Sequence, residues 1–145
     1  MRLLRVLVLI LFAVPAAAQD YSIGDLQVEH PWARATIGNL RMTAGYMTVV
    51  NAGEVDDRLI AVEIPGAMMV ELHVTEDGKM RGVEAFEIPA GGTLLVRPGG
   101  NHLMIGPLSG PLAEGETLAG LLVFERAGRL PVEFDVEAAD ATESQ

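Results

Sequence analysis

Two pairs of side chains in this sequence have the types and the spacing needed to hold a soft metal ion. The first pair is His102 and Met104, which follow the Gly-rich segment Pro98-Gly99-Gly100. Side chains at positions i and i+2 of a β-strand project from the same face of the strand. If this segment is a strand, it therefore presents an imidazole and a thioether side by side.

The second pair, His73 and Met80, flanks a predicted hairpin. The dipeptide Asp77-Gly78 is a strong signal for a two-residue type I′ turn between antiparallel strands. This turn places His73 opposite Gly82, two residues along the strand from Met80. His73 and Met80 are then diagonal neighbours on one face, within reach of a shared ion.

The ligand types decide which metals the two pairs could bind. The sequence has no cysteine, which excludes disulfide scaffolds, thiolate zinc sites, iron–sulfur clusters and blue copper sites with a cysteine ligand. Imidazole and thioether are neutral ligands that favour Cu(I) and disfavour Mg²⁺ or Ca²⁺. Together, the two pairs would make a site with two histidines and two methionines that binds Cu(I) reversibly.

The elements that must position these side chains are predicted to be strands. Beyond residue 18, short segments rich in Val, Leu, Ile and Thr are separated by Gly, Pro, Asn and Asp at intervals of roughly 8–12 residues, a pattern typical of all-β proteins. Nine such segments in one domain predict a β-sandwich. The candidate strands are 23–32, 45–51, 58–64, 70–76, 79–86, 93–97, 102–105, 117–125 and 130–136.

The chain is predicted to be exported. Residues 1–18 contain Arg2 and Arg5, then an apolar run, and end in small residues, which is the layout of a cleaved secretory signal peptide. The apolar run is shorter than the roughly 20 residues that span a bilayer, and no cysteine follows for lipid attachment. We therefore expect cleavage near Ala18, no stable membrane anchor, a β-domain over residues 19–137 and a disordered tail over 138–145.

Charge and the remaining motifs exclude other classes of function. The chain has 20 acidic and 10 basic residues and a formal net charge of −10, whereas nucleic-acid binding depends on clustered Lys and Arg. No serine lies in a recognisable nucleophile setting, and no Gly-rich phosphate loop opens a helix. We therefore expect a protein that is not an enzyme and binds no nucleic acid.

Met80, 21 residues, His102, one residue and Met104 reproduce the M-X21-H-X-M part of a longer motif, H-X10-M-X21-H-X-M. In this respect, and along much of the chain beyond residue 18, the sequence resembles the PCuAC-type periplasmic copper chaperones. The resemblance implies a cupredoxin-like Greek-key β-sandwich in the periplasm. It also implies binding of Cu(I), sometimes with Cu(II), through His73, Met80, His102 and Met104, and delivery of copper to the binuclear centre of cytochrome c oxidase.

One ligand position departs from the family motif. His73 precedes Met80 by seven residues where the motif has eleven, and the motif spacing falls on Met69. In the hairpin register Met69 would lie near Phe86, six residues or about 20 Å from the position that faces Met80. His73 is offset from that position by only about 7 Å, and an even-numbered deletion keeps it on the same face. His73 is therefore the favoured first ligand, with Met69 as the alternative.

Other interpretations remain open at this stage. Met42 and Met47 could form a secondary methionine site, although core packing is favoured for Met47, and Met68 and Met69 are expected to fill the start of a strand. In the main alternative, the protein is an Ig-like exported adhesion or scaffold module in which all these side chains only pack. Binding of Cu(I) separates the two functions.

Overall fold

The computed structural model describes residues 19–144. Every regular secondary-structure element in this part of the chain is a β-strand. The all-β prediction is confirmed. No helix in this part is long and apolar enough to cross a membrane. The predicted signal peptide, residues 1–18, lies outside the described residues. The strands are β1 (Tyr21–Ile23), β2 (Leu26–Arg34), β3 (Thr43–Asn51), β4 (Asp57–Glu63), β5 (Ala67–Glu76), β6 (Lys79–Val83), β7 (Phe86–Ile88), β8 (Thr93–Val96), β9 (His102–Leu108), β10 (Thr117–Phe124) and β11 (Gly128–Glu137).

Two of the nine predicted strands run across a break and include one end residue of a neighbouring strand. Segment 23–32 is interrupted by a tight turn at Gly24, whose φ of 55° lies in the left-handed region that glycine favours. Segment 79–86 is divided because β6 pairs with β5, whereas β7 pairs with β4. Ile23 and Phe86, the residues beyond the breaks, are common strand residues, so the pattern of residue types did not show where each strand ends.

The strands form a sandwich whose sheet runs in the order β6-β5-β9-β3-β2-β11-β10-β4-β7, with β1 added to β2 and β8 added to β3. β6 and β7 are consecutive in the chain but lie at opposite ends of this order. The chain between them therefore crosses from one layer to the other. All strand pairs are antiparallel except that of β11 with β2.

The hydrophobic core determines which face of β5 and β9 looks outward. Leu103 and Ile105 of β9 are fully buried, and Leu72 of β5 is 5% exposed. Because strand side chains alternate between faces, burial of Leu103 and Ile105 places His102 and Met104 on the outer face of the sheet. The candidate ligands thus lie outside the core, on a surface that the core orients.

The hairpin between β5 and β6 has the predicted register. His73 lies opposite Gly82, and Thr75 lies opposite Met80. Asp77 and Gly78 have φ values of 51° and 74°, as a type I′ turn requires at both of its central positions. The local turn signal therefore determines which residues of the two strands meet.

The chain beyond β11 makes at least one defined contact with the sandwich. The Nε–H of Arg34 donates a hydrogen bond of 2.9 Å to the carbonyl of Ala141. No strand follows β11 as far as residue 144. The disorder of residues 138–145 stays a prediction.

Leu103 is expected to anchor the site strand to the core. Leu103→Ala should lower the free energy of unfolding by about 2–5 kcal/mol, because it removes a fully buried side chain and leaves a cavity. Leu95→Ala, at a position that is 45% exposed, is the matched control and should cost less than about 1 kcal/mol. Urea denaturation measures both values, and equal losses would contradict this account of the core.

Candidate metal centre

The centre is built around two histidines on neighbouring strands. His73 of β5 and His102 of β9 are directly opposite each other in the antiparallel ladder. Their ring centroids are 5.4 Å apart and the ring planes meet at 64°, an edge-to-face contact. The fold thus brings together two side chains that are far apart in the sequence.

One ring nitrogen of His73 has a hydrogen-bond partner. His73 Nε2 lies 2.8 Å from Oε2 of Glu71, two residues earlier on the same face of β5. An ionised carboxylate only accepts hydrogen bonds, so Nε2 carries the proton and Nδ1 of the neutral ring carries the lone pair. That Nδ1 is buried and has no hydrogen-bond partner among residues 19–144.

His102 has the same arrangement with its nitrogens exchanged. Its Nδ1 lies 3.0 Å from the carbonyl oxygen of Gly100, which can only accept, so Nδ1 donates and Nε2 carries the lone pair. The turn before β9 delivers this carbonyl, with Gly99 at a φ of 83°. Nε2 is buried and, within the described part of the chain, has no hydrogen-bond partner.

Two adjacent imidazoles therefore each direct an unpaired lone pair into a buried position. Leaving a buried polar atom without a partner costs about 1–3 kcal/mol. Histidines that bind metals commonly hold the second ring nitrogen on a carboxylate or a backbone carbonyl, and Glu71 and Gly100 supply one of each. The donor set fits a metal ion that accepts neutral nitrogen ligands.

The two predicted methionine ligands lie on the same outer face. Met104 is directly opposite Glu71 and is half-buried. Met80 is a diagonal neighbour of His73, a relation that separates the positions by about 7–8 Å, and its side chain is 61% exposed. Gly82, opposite His73, has no side chain to cover the imidazole. All four predicted ligands thus share one face, with the imidazoles in contact and a thioether on either side.

The structure brings His73 rather than Met69 against His102. Met69 lies opposite Gly106 in the β5–β9 ladder, four residues or about 13 Å along the strand from His73. His73 can therefore stand for the first ligand of the motif only if the hairpin is four residues shorter here than in the family.

The other methionines follow the sequence-based expectations only in part. Met68 and Met69 lie at the start of β5, but they are 82% and 53% exposed and do not fill a core. Met47 is 2% exposed and packs in the core as expected, whereas Met42 is 43% exposed. Because 42 and 47 differ by an odd number, strand alternation puts them on opposite faces, so they do not form a joint site.

An aromatic pair covers the outer face near the histidines. Trp32 and Tyr46 are both buried, with ring centroids 4.6 Å apart, and the guanidinium carbon of Arg34 lies 5.6 Å from the centroid of the Tyr46 ring. Burial raises the pKa of Tyr46, and the nearby charge of Arg34 partly opposes that rise. The β3–β9 ladder ends at the pair of Gly45 with Leu103. Tyr46 is the next residue of β3, so its ring adds an aromatic surface on the β3 side of the histidines.

Sequence reasoning missed the groups that orient the histidines. Glu71 was detectable in principle, because it is two residues from His73 and must share its face. The Gly100 carbonyl is a backbone group and has no signal in the residue types. Between residues 19 and 144 no group of three or more His, Cys, Asp or Glu side chains could hold a metal.

The two histidines are expected to be opposite tautomers. As neutral imidazoles, His73 should carry its proton on Nε2 and His102 on Nδ1, which long-range ¹H–¹⁵N correlation spectra distinguish. Glu71→Gln should free the tautomer of His73 without affecting His102, because an amide can donate as well as accept. Identical tautomers in the unaltered protein would refute this hydrogen-bond assignment.

Comparisons with known proteins agree with this fold. Residues 26–136 match the model of the family described as "Putative lipoprotein LpqE-like". A relative from Leifsonia xyli subsp. xyli, "Putative lipoprotein Lxx21020", is 33% identical over 131 residues, which cover 86% of this chain and 78% of that protein.

Solved structures of PCuAC domains are similar over most of the chain. The apo PCuAC domain of PmoF2 has a TM-score of 0.78 and 31% identity, over 87% of this chain and 100% of that one. Its copper-bound form has a TM-score of 0.75, over 83% and 98% of the two chains. The Cu(I) form of DR1885 from Deinococcus radiodurans has a TM-score of 0.67 and 28% identity, over 88% and 87%. The chain therefore belongs to the LpqE-like family, and its domain is a cupredoxin-like β-sandwich like those of PCuAC proteins.

Proposed function

We propose that this protein is an exported copper chaperone that carries Cu(I) on His73, Met80, His102 and Met104. The observation that carries the proposal is the pair of buried, unpartnered ring nitrogens, Nδ1 of His73 and Nε2 of His102. The similar PmoF2 domain and DR1885 have both been solved with copper bound. Copper is here the cargo of the protein and not a resident cofactor.

The ligand chemistry favours Cu(I) over other ions. Thioethers are soft donors and imidazoles are borderline donors, and neither carries charge, which suits a soft monovalent ion. Hard cations prefer carboxylate and carbonyl oxygens, and the carboxylate of Glu71 is engaged with His73. Imidazoles also suit Cu(II), so binding of Cu(II) to the same histidines stays a prediction.

The position of the site suits transfer of the ion. Met80 lies on β6, the last strand at one end of the sheet, and is 61% exposed. An open groove lined by Glu71, His73, Arg81 and Gly82 runs beside the first histidine. An incoming ligand can therefore displace the Met80 thioether first, while the two imidazoles still hold the ion. This order of exchange lets copper pass to an acceptor without being released into water.

We propose the binuclear copper centre of cytochrome c oxidase as the acceptor and the periplasm as the place of transfer. Membership in a family described as lipoproteins supports export, and a cleaved signal peptide ending near Ala18 is part of the proposal. The relatives are copper-binding domains and a lipoprotein, which supports a carrier rather than an enzyme. Mere packing, as in an adhesion module, would leave both buried lone pairs unexplained.

Binding of Cu(I) tests the proposal directly. Titration of the protein against a competing Cu(I) chelator should show tight binding, and His73→Ala or His102→Ala should weaken it by more than about 100-fold, since even residues that only orient a ligand contribute 10–100-fold. Met80→Leu and Met104→Leu should weaken it less, because each leaves both imidazoles. His30→Ala, at the exposed third histidine, is the matched control. Equal affinity in His102→Ala and the unaltered protein would sink the proposal.

Delivery needs a separate measurement. The Cu(I)-loaded protein is mixed with the apo copper domain of an oxidase subunit, and the visible absorption of the assembled binuclear centre is followed. Met80→Leu should speed transfer more than Met104→Leu does, because it removes the exposed thioether that the incoming ligand must otherwise displace first. If copper binds tightly but never reaches the oxidase domain, the carrier needs a different acceptor.

A further inference from the structure

Three methionines lie together on the outer face, further along β5 and β9 from the two histidines. Met69 is opposite Gly106 on one side. On the other side, the pairing of Thr43 with Ile105, and the hydrogen bond from the Leu108 amide to the Arg41 carbonyl, place Met42 opposite Gly106 as well. Gly106 therefore has a methionine on each flank.

The absence of a side chain at Gly106 lets these thioethers approach each other. Met42 Sδ lies 2.8 Å from the point that a Cβ atom at Gly106 would occupy, so this side chain already reaches over the glycine. The backbones that carry Met42 and Met69 are two strand spacings apart, or about 9.6 Å. Each flexible methionine side chain has to span only half of this distance.

Met104 is the third thioether of this group. It is two residues before Gly106 on β9 and so faces the same way, and it is a diagonal neighbour of Met69, which precedes Glu71 by two residues. Met42 and Met69 are 43% and 53% exposed. An apolar side chain that is exposed to this extent contributes little stability through burial. Packing therefore does not explain why methionines stand here.

The position of Met42 is held by its neighbour in the chain. The guanidinium of Arg41 donates hydrogen bonds of 2.7 Å to the Ser109 carbonyl and 3.2 Å to the Leu108 carbonyl. These bonds tie the segment before β3 to the end of β9, next to Gly106. The thioether of Met42 thus projects from an anchored backbone, as a ligand position requires.

We propose that Met42, Met69 and Met104 form a second Cu(I) site made of thioethers alone. Three neutral sulfur ligands favour a soft monovalent ion, and without an imidazole the site is weaker than the histidine site. When both sites are filled, Met104 stays with the histidine site, and Met42 and Met69 hold the second ion. When only one ion is bound, Met104 can pass it from one site to the other by exchange of ligands, with copper remaining Cu(I) throughout. The second site takes up copper at the far end of the face and passes it to the histidines.

This site can be tested with Ag(I), which has the charge and ligand preference of Cu(I) and no redox chemistry. In the purified protein labelled with [methyl-¹³C]methionine, the first equivalent of Ag(I) should shift the methyl signals of Met80 and Met104. The second equivalent should shift those of Met42 and Met69, while the signal of Met68 stays in place. Saturation at one equivalent with Met42 and Met69 unmoved would overturn the proposal.

Variants separate the second site from the first. Met42→Leu with Met69→Leu keeps size and hydrophobicity, and it should lower the stoichiometry from two Ag(I) ions per chain to one. Met68→Leu, at the adjacent and more exposed methionine, is the matched control and should still bind two. Retention of two ions by the double variant would refute the site.

A further variant distinguishes failure of this site from failure of the proposed function. In His73→Ala with His102→Ala, Ag(I) should still shift the methyl signals of Met42 and Met69, because the thioether site needs neither imidazole. Loss of these shifts in the histidine variant would overturn the thioether site as an independent ligand set. Unchanged tight binding in that variant would instead overturn the histidine site.

Discussion

The candidate site depends on a single constraint, the antiparallel register between β5 and β9. Leu72 faces Leu103 and Val70 faces Ile105 in this ladder, and burial of these side chains fixes the register. A shift of β5 by one residue would turn Leu72 outward and His73 inward. The free energy of core packing therefore also holds His73 against His102, although neither histidine belongs to the core.

That arrangement has an energetic cost which the fold sustains. Two ring nitrogens are buried without a partner, at about 1–3 kcal/mol each. The partner nitrogens are held by the Glu71 carboxylate and the Gly100 carbonyl, so neither ring can turn to relieve this cost without breaking a hydrogen bond. The lone pairs are thus oriented before any ion arrives, and an ion that pairs with them stabilises the folded state.

Local signals in the sequence predicted the parts of this structure that depend on local geometry. The Asp77-Gly78 turn was sufficient for the register of β5 with β6, and the spacing of His102 and Met104 was sufficient for their common face. Alternation of residue types shows which face a side chain takes, but it does not show which strands become neighbours. The pairing of β5 with β9, the division of residues 79–88 between two layers, and the approach of Met42 to Gly106 are long-range results of packing, and no local pattern contains them.

The ligand set also has an electrostatic consequence. Because imidazole and thioether are neutral, a bound Cu(I) ion keeps its full positive charge, whereas thiolates would cancel it. The carboxylate bonded to His73 Nε2 at 2.8 Å is a nearby negative charge, and it lies on the same face as every proposed ligand. In the proposed site it would compensate the charge of the ion through the imidazole of His73 without being a ligand itself. Since the carboxylate is 53% exposed, water would screen its attraction for an ion in the proposed site.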